Sequence, residues 1–416
     1  MYLLYQLLIS IILLLSPIIV IFRIFNNKEH KKRFIEKFSF RTKKKINGKL
    51  IWFHGASVGE ILSIIPLIKY YEKKKSIKQI LVTTSTLSSS KVLKKYKLKK
   101  TIHQFYPIDH FLFVERFIKN WKPSAAIFID SEIWPCMFKK LNQKNIPLIL
   151  LNARITKKTF NKWIKIKKFA YSVFDKILIA YPQNLETKYY LKKLRVNRVN
   201  MIGNLKFSEN NDLNFSKINK NLINEFKKKN IWVASSTHNK EEIFCAIAHK
   251  NLKKKIKNLI TIIIPRHIHR AREIVADIEK MNFKVVLHST KPNSLKNVNF
   301  YIVDTFGETK EFHKMSCTVF LGGSIIKRGG QNPLEAARFG AKILHGPNTD
   351  NFTDVYKLLK SLNISKKIKS TNELASSINF KRNKSLGNKI KIIGEKILKK
   401  TIKELDSIIY NEIKKA

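Results

Sequence analysis

A carboxylate framed by glycines is the first feature of this sequence that indicates chemistry. Residues 54–60 read HGASVGE, and Glu60 follows Gly55 and Gly59 directly after an apolar run. Glycines permit a tight turn and a close approach of the backbone to a ligand, and the free N–H groups at the start of a following helix attract anions. In that first helical turn, Glu60 could accept a proton from an alcohol. The simpler alternative is a carboxylate that only complements the helix dipole.

A second carboxylate stands in the sequence DSEIWP. Glu132 lies two residues beyond Asp130, which follows the apolar run 125–129. Loops that follow strands in α/β folds carry much of the function of these folds. Alternatively, Ser131 simply caps a helix that begins near Pro135.

Two cations end other segments of the first half. Arg154 closes the sequence NAR after the apolar run 147–151, and Lys206 lies in GNLKF, residues 203–207. An arginine can bind a carboxylate or phosphate through two parallel hydrogen bonds. Lys206 by itself indicates little, because the chain holds 82 Lys and Arg residues and most of them must be solvated.

A basic cluster, PRHIHR, follows the most apolar run of the second half, residues 262–264. Arg266 in this cluster is suited to a phosphate at the carboxyl end of a strand. His267, His269 and the more distant His313 raise the question of a metal, but they lack the HExxH spacing and a nearby carboxylate partner. The sequence therefore predicts no metal site.

Glycines are concentrated late in the chain: seven of the 13 fall between positions 307 and 346. Residues 322–324 read GGS and residues 329–336 read GGQNPLEA, in which Pro333 is suited to the first turn of a helix. That helix could receive a phosphate, and Glu335 could accept a hydrogen bond from a ribose hydroxyl. The pattern matches neither GxxxxGK[ST] nor GxGxxG after the first strand, so P-loop NTPases and Rossmann dehydrogenases are poor fits. We predict a nucleotide half-site of another kind.

The elements that must position these residues alternate between short apolar runs and amphipathic segments. In the first half we predict helices such as 61–72 and 111–120, between strands at residues 50–54, 79–84, 125–129, 147–151 and 176–180. The second half restarts the pattern, with predicted strands at residues 231–234, 259–264, 283–287, 300–303, 318–321 and 341–344. Such alternation indicates parallel sheets covered by helices. Two Rossmann-like domains of this kind, facing each other, would form a central cleft at the carboxyl ends of both sheets.

The predicted organisation is α/β in six segments. They are an N-terminal transmembrane anchor 1–22, a basic linker 23–48, an acceptor-binding domain 49–207, a linker 208–220, a nucleotide-binding domain 221–384 and a basic C-terminal helix 385–416. The size of the chain agrees with two domains, because a single core seldom grows this large.

Residues 1–22 contain no charged side chain. As a helix they would extend about 33 Å, enough to cross the hydrocarbon core of a membrane. Arg23, Lys28 and Lys31 follow, and positive charge after a span keeps that side in the cytoplasm. No A-x-A-like cleavage site follows, so we predict an uncleaved single-pass anchor with the rest of the chain cytoplasmic. The alternative is a re-entrant or peripheral hydrophobic hairpin.

The formal net charge of +53 favours phosphate-rich partners, which include nucleic acid, nucleotides and anionic lipid. The lysines are spread along the whole chain without an arginine-rich arm or an aromatic-basic RNA-binding pattern, so we predict no nucleic-acid partner. No protein partner is identifiable from the sequence. An odd, scattered set of cysteines argues against disulfides and zinc and favours a reducing cytoplasm: Cys136, Cys245 and Cys317.

Taken together, the motifs resemble those of one family. HGASVGE, SEIWP, NAR, GNLKF, PRH, GE, GGS, GGxNPLE and GPNTDNF occur in this order over residues 54–352. The sequence thereby resembles the 3-deoxy-D-manno-octulosonic acid (Kdo) transferases, glycosyltransferase family 30, which modify the lipid A precursor during lipopolysaccharide synthesis. The resemblance covers nearly all of the chain beyond the anchor, and the anchor itself.

The resemblance implies a GT-B fold and an inverting transfer of Kdo from CMP-Kdo to lipid IVA at the bacterial inner membrane, without a metal or another cofactor. It implies that Glu60 is the base and that Glu132 and Lys206 stabilise the transition state. It also implies a set of contacts to CMP: Pro265, Arg266, Phe306, Gly307, Glu308, Asn332, Pro333, Leu334 and Glu335.

Three positions depart from the family pattern. Gln331 replaces a usual histidine, Ala336 a usual proline, and Val303 a usual glycine. We expect these departures to bear on donor affinity and to leave Glu60 unaffected. The motifs are compatible with transfer of one, two or more Kdo residues. Two alternatives stay open at this point: a GT-B transferase that uses a UDP-hexose, and a membrane-tethered nucleic-acid-binding protein, which the charge alone favours.

Overall fold

The computed structural model of the chain describes residues 1–209 and 218–415 and divides into two compact units. The first unit comprises Met1–Leu213 and Ile393–Ala416, and the second comprises Asn214–Ile392. Each unit is built on one parallel sheet, so the prediction of two Rossmann-like α/β domains is confirmed. Residues 210–217 of the predicted linker lie outside the described residues.

The first unit holds a six-stranded sheet with the order β3-β2-β1-β4-β5-β6. Its strands are β1 (Leu50–His54), β2 (Gln79–Thr84), β3 (Thr101–Phe105), β4 (Ala125–Ile129), β5 (Leu148–Ala153) and β6 (Ile179–Pro182). Since β1 pairs with both β2 and β4, the strand order changes direction between β1 and β4. Open α/β sheets bind their ligands beside such a switch point, at the carboxyl ends of the strands.

Helices cover both faces of this sheet. They are α1 (Tyr2–Phe25), α2 (Val58–Lys73), α3 (Leu87–Lys94), α4 (Phe111–Trp121), α5 (Pro135–Gln143), α6 (Lys157–Lys165), α7 (Lys167–Phe174) and α8 (Leu185–Lys193). Residues of α4, α5 and α7 pack in one core cluster, and residues of α2 pack in a second cluster on the other face. The strands β1 and β4 are buried throughout for this reason, which explains their almost continuous apolar sequences.

The second unit holds a seven-stranded sheet with the order β13-β12-β11-β7-β8-β10-β9. Its strands are β7 (Asn230–Thr237), β8 (Leu259–Pro265), β9 (Val285–Leu287), β10 (Phe300–Ile302), β11 (Thr318–Leu321), β12 (Lys342–His345) and β13 (Ser365–Lys367). Its helices are α9 (Lys220–Lys227), α10 (Glu241–Lys253), α11 (Ala271–Glu279), α12 (Thr309–Met315), α13 (Leu334–Arg338), α14 (Thr353–Ser361), α15 (Thr371–Ser377) and the start of α16 (Lys384–Lys415). The switch point lies between β7 and β11, and β11 runs into the predicted Gly-Gly-Ser loop.

Two of the strands, β3 and β13, were not predicted. Their sequences, TIHQF and SKK, contain no apolar run, and both strands lie at or near the edge of a sheet. Thr101 and His103 of β3 are only partly buried. An edge strand needs few apolar side chains, so a search for apolar runs passes over it.

The C-terminal helix forms as predicted and also completes the first unit. From Ile393 onward α16 belongs to that unit, where Leu405 and Ile409 are buried in the same core cluster as α2. A Cβ atom on Gly394 would lie 2.1 Å from the carbonyl oxygen of Phe207, so only glycine permits this close packing.

By length and composition, α1 is suited to crossing a membrane, and it is the one such helix among the described residues. One side of α1 contacts the first unit: the Tyr5 hydroxyl donates to Asp109 Oδ2 at 2.9 Å, and Gln6 Oε1 accepts from the Phe111 N–H at 3.0 Å. Its remaining sides are exposed, with Leu3 86% accessible. A surface of this kind is suited to lipid.

Part of the segment predicted as a basic linker packs on the first sheet. The 3₁₀ turn Arg33–Phe38 places Glu36 in a fully buried position, where its Oε2 accepts from the Phe105 N–H at 2.8 Å. Arg33 completes the contact, with Nε 2.8 Å from Glu36 Oε1. Residues between the apolar helix and β1 thereby join the first unit.

Candidate active site

Glu60 lies in the first turn of α2, as the sequence predicts. Ser57 is the N-cap, and its hydroxyl donates to Glu60 Oε1 at 2.6 Å. The Ala56 N–H donates to Glu60 Oε2 at 2.7 Å. The carboxylate therefore does accept hydrogen bonds at a helix N-terminus, as the simpler interpretation expected.

The raised pKa of Glu60 indicates a role in addition to helix capping. Burial raises the pKa of Glu60 to about 7, the hydrogen bond from Ser57 opposes this rise, and the charges of Glu132 and Asp130 add to it. A carboxyl with this pKa is present in both protonation states near neutral pH. This property is typical of a general base.

Glu132 ends a directed chain of hydrogen bonds. The Trp52 indole N–H can only donate, and it lies 2.9 Å from Thr83 Oγ1. Thr83 Oγ1 lies in turn 2.9 Å from His54 Nδ1, and the N–H at His54 Nε2 donates to Glu132 Oε2 at 3.0 Å, because a carboxylate can only accept. The chain holds this carboxylate in one orientation at the carboxyl end of β1.

Two N–H donors meet at the same oxygen of Glu132, because the Trp134 indole also donates to Oε2 at 2.9 Å. Burial would raise the pKa of Glu132, but the hydrogen bond and charge of His54 and the hydrogen bond of Trp134 outweigh it, and the pKa is lowered. Glu132 is ionised under conditions where Glu60 titrates. Carboxyls whose environments separate their pKa values in this way commonly have different chemical tasks.

The interpretation of Ser131 as a helix cap is wrong. The helix α5 begins at Pro135, and Asp109 caps it from another segment, because its carboxylate accepts from the N–H groups of Cys136 and Met137, both at 2.9 Å. Burial raises the pKa of Asp109 to about 6, and the hydrogen bonds oppose this rise. Glu132 is thereby free of a capping role.

Lys206, the third predicted catalytic residue, lies beside Asp130. Its Nζ is 3.8 Å from Asp130 Oδ2, and both side chains are largely buried. Burial raises the pKa of Asp130, while the positive charges of Lys206 and Arg154 oppose the rise. Asp130 has a φ of +62°, a conformation that is uncommon for a residue other than glycine and that clusters at functional sites.

The structure therefore brings Glu60, Glu132 and Lys206 to one edge of the first sheet. The charge of Asp130 acts on both Glu60 and Lys206. Asp130 was not among the predicted site residues. Its motif position was visible in the sequence, but the backbone conformation that aims its side chain was not.

In the second unit, the predicted nucleotide contacts begin where β8 ends. Pro265 is the last residue of β8, and the Arg266 N–H donates to the Thr237 carbonyl at 2.9 Å. The Arg266 side chain is exposed. Arg270 differs, because its guanidinium is engaged by Glu242 at 2.9 Å. Of these two arginines, Arg266 is the one available to a ligand.

The segment after β10 carries the next predicted contacts, at the start of α12. Glu308 accepts from the Thr305 hydroxyl at 2.6 Å and lies 3.8 Å from His288 Nε2. Gly307 has a φ of +108°, which glycine adopts readily, and Phe306 is 79% exposed. An exposed aromatic ring beside a fixed carboxylate is suited to a base and ribose.

The helix predicted near Pro333 is present but short. It spans Leu334–Arg338, and Asn332 Oδ1 already accepts from the Leu334 N–H at 3.0 Å. Pro333 and Leu334 are buried. That the start of this helix receives a phosphate stays a prediction, and a five-residue helix with one capped N–H offers few free donors for it.

Glu335 remains partly accessible in α13 and lies near His313. The distance from Glu335 Oε2 to His313 Nδ1 is 3.9 Å, and His313 Nε2 is 3.0 Å from the Ser235 hydroxyl. Burial lowers the pKa of His313, and the charge of Glu335 opposes this. The distance is too long for a hydrogen bond, so Glu335 is a neighbour of His313 and keeps its oxygens for a ligand.

Glu241, which was not among the predicted site residues, fixes the Gly-Gly-Ser loop. This fully buried carboxylate accepts from the N–H groups of His238, Gly323, Ser324 and Ile325, at 3.0, 2.7, 3.1 and 3.0 Å. No sequence pattern marks it, since it follows an unremarkable polar stretch. A Cβ atom on Gly322 would lie 2.4 Å from the Ser236 carbonyl oxygen, so the loop also needs that glycine.

Among the described residues, no three His, Cys, Asp or Glu side chains are grouped as a metal site would require. The histidines of the basic cluster, His267 and His269, have ring centroids 5.6 Å apart. His313 faces Ser235 and Glu335 instead.

Sequence similarity relates the chain to one family of known proteins. A sequence model described as 3-deoxy-D-manno-octulosonic-acid transferase (kdotransferase) matches residues 32–209. The chain is 34% identical to a 3-deoxy-D-manno-octulosonic acid transferase of Rickettsia prowazekii over 84% of this chain and 76% of that protein. The chain belongs to the Kdo transferase family. A second such transferase, of Rickettsia bellii, is 32% identical over 95% of this chain and 94% of that protein.

Solved structures place this Kdo transferase in the GT-B class. A UDP-GlcNAc 2-epimerase from Neisseria meningitidis aligns with a TM-score of 0.51 and 13% identity, over 84% of this chain and all of that one. Anabaena Alr3699/HepE aligns with a TM-score of 0.53 and 10% identity, over 86% of this chain and all of that one. At these identities the likeness concerns the fold alone. Family membership makes the enzyme a glycosyltransferase, and its fold comprises two Rossmann-like domains and an apolar N-terminal helix.

Proposed function

We propose that this enzyme transfers Kdo from CMP-Kdo to a hydroxyl of lipid IVA with inversion of configuration. The observation that carries the proposal is the pair of carboxyls with separated pKa values: Glu60, with a pKa of about 7, and Glu132, which is held ionised. Transfer to an alcohol requires one group that removes a proton and fixed charges that stabilise the transition state. Membership of the family supplies the sugar.

On the acceptor side, Glu60 takes the proton of the attacking hydroxyl. Its hydrogen bonds from Ala56 and Ser57 hold the carboxylate in place while leaving oxygen lone pairs for the acceptor. As CMP departs, positive charge develops at the anomeric carbon of the sugar, and the ionised Glu132 stabilises it. Lys206 is suited to an acidic group of the substrate, and Asp130 orients it at 3.8 Å.

On the donor side, the second unit binds CMP. The exposed guanidinium of Arg266 neutralises the leaving phosphate, a role in which arginine forms two parallel hydrogen bonds. Glu308 and Glu335 accept hydrogen bonds from ribose or base. Because these charges come from side chains, we expect neither a metal nor another cofactor.

The proposal includes the location. The apolar helix α1 attaches the enzyme to the bacterial inner membrane, where its lipid acceptor lies, and both units lie on the cytoplasmic face. The exposed sides of α1 and the high positive charge of the chain support this attachment, because anionic lipid attracts basic surfaces.

The test is a transfer assay with the purified full-length enzyme in detergent. CMP-Kdo and lipid IVA are the substrates, and the product mass gives the number of Kdo residues added. CMP-sialic acid and UDP-glucose are the control donors, and a parallel reaction contains excess EDTA. We expect product with CMP-Kdo alone and no effect of EDTA. Equal transfer from UDP-glucose, or loss of transfer with EDTA, would contradict the proposal.

A further inference from the structure

A groove of 810 Å³ lies on the first unit beside the N-terminal helix. Its walls are the first turns of α1, residues 39–41, α4 and α5. We call it the α1 groove. The three residues Tyr2, Leu3 and Gln6 of α1 line it, so it lies where the apolar helix meets the folded unit.

Cations dominate the lining of the α1 groove. Five basic side chains line it: Arg41, Arg116, Lys119, Lys139 and Lys140. Among the described residues that line it, Glu115 is the one acidic residue, and it forms an ion pair with Lys140. The lining is thus strongly positive and suited to a group with more than one negative oxygen, such as a phosphate.

The same groove is also apolar. Phe40, Phe111 and Leu112 line it with accessibilities of 52, 57 and 55%. Two of the cations lie over aromatic rings: Arg116 over Phe40 at 4.8 Å and Lys139 over Tyr2 at 4.8 Å. Cations that pack on rings keep their charged ends at a boundary between apolar and polar surroundings. A ligand that combines an anionic head with hydrocarbon matches both properties.

The α1 groove is separate from Glu60, the proposed base. Glu132 is nearer to it, because Trp134, which binds Glu132, packs against the same core cluster as the groove helices. It lies between α4 and α5, whose residues pack in one core cluster of the sheet. Glu60 lies in the first turn of α2, whose residues pack in the cluster on the opposite face. No part of the proposed transfer chemistry uses the residues of the groove.

We propose that the α1 groove binds one anionic membrane phospholipid. Its phosphate contacts Arg41, Lys119 and Lys139, and its acyl chains lie along the exposed side of α1. The lipid would hold the enzyme at anionic regions of the membrane in addition to the apolar insertion of α1. The inference rests on the membrane attachment in the proposed function but not on the identity of the donor or acceptor.

The test is native mass spectrometry of the full-length enzyme in detergent micelles with added phosphatidylglycerol or phosphatidylcholine. The variant R41Q/K119Q/K139Q removes three charges from the groove. The matched control K250Q/K254Q/K257Q removes three exposed charges from the second unit. We expect one retained phosphatidylglycerol, no retained phosphatidylcholine, and affinity lowered on the order of 100-fold in the groove variant only.

Three outcomes would overturn this inference. Equal retention of phosphatidylcholine would make the groove a purely apolar one. Equal losses in the two variants would show a general charge effect. Displacement of the bound phospholipid by lipid IVA would make the groove part of the acceptor site. Kdo transfer in detergent, measured on the same groove variant, is expected to be unchanged, so a failed proposed function and a failed lipid site give different results.

Discussion

His54 Nε2 lies 3.0 Å from Glu132 Oε2, at the end of a hydrogen-bond chain that starts at Trp52. This contact helps to keep Glu132 ionised, and the charge of Glu132 in turn raises the pKa of Glu60. The buried His54 thereby helps to separate the pKa values of the two carboxyls. The site can be tested by changing the members of this set one at a time.

Replacing Glu60 by alanine should lower the turnover number by a factor on the order of 10² or more, because the acceptor proton then has no base. CMP-Kdo binding should be retained, since Glu60 belongs to the first unit and the donor residues to the second. Steady-state transfer rates and calorimetric donor titration measure the two effects. Glu395→Ala, an exposed position of the same unit, is the control. Near-normal turnover in E60A would remove Glu60 from the role of base.

The transfer rate should rise with pH and level off above a midpoint near 7. The burial that raises the pKa of Glu60 to about 7 keeps the carboxyl protonated, and inactive as a base, below that pH. The sign is that of a base whose active form is the deprotonated one. The measurement is kcat/KM between pH 5.5 and 8.5, values that bracket the midpoint by about 1.5 units on each side. A rate that falls through this range would contradict the assignment.

Glu132→Gln should move that midpoint to lower pH. The glutamine carbonyl can still accept hydrogen bonds from His54 and Trp134, but the negative charge that raises the pKa of Glu60 is gone. If Glu132 also stabilises the transition state, the plateau rate falls as well. The pH profile of the variant separates the two effects. An unchanged midpoint would mean that Glu132 does not act on Glu60.

Arg266→Ala should weaken CMP-Kdo binding by about 10- to 100-fold, the usual effect of losing a charged hydrogen bond. Its side chain is exposed and free to meet the leaving phosphate. The exposed Arg272 of α11 is the matched control, and R272A should bind the donor normally. Arg270 is not a suitable control, because its ion pair with Glu242 contributes to the fold. Calorimetry with CMP-Kdo gives the affinities, and unchanged affinity in R266A would reject the phosphate contact.

Glu241→Ala should loosen the Gly-Gly-Ser loop without affecting the first unit. Four backbone N–H groups lose a buried acceptor, and each unpaired group costs about 1–3 kcal/mol. Hydrogen exchange followed by mass spectrometry should show faster exchange at residues 322–325 and unchanged exchange in β1 and β4. E279A, an exposed position in the same unit, should exchange as the wild type does. Unchanged protection of the loop would show that another contact holds it.

Much of the fold was predictable because the central strands are buried on both faces. β1, β2, β4 and β11 match the predicted residues, and each is a run of mostly apolar side chains between turn signals. The polar edge strands β3 and β13 gave no such signal. Burial on both faces thus determines which strands of an α/β sheet can be predicted from one sequence.

The candidate site was predictable as a set of motifs but not as an arrangement. Glu60 could be placed because Gly55 and Gly59 mark a turn between an apolar strand and a helix. Glu241 and Asp109 could not, since each meets backbone groups that are distant in sequence, and only the folded chain brings them together. The positive φ of Asp130 is likewise a result of packing.

The packing of α16 has a consequence for how the protein is made. Synthesis begins at the N-terminus, so β1 and α2 leave the ribosome early. Leu405 and Ile409, which fill the core beside them, are translated only after the second unit. One face of the first sheet therefore lacks part of its packing until the second unit has been translated. Completion of the N-terminal core is therefore coupled to the synthesis of the segment that follows the second unit.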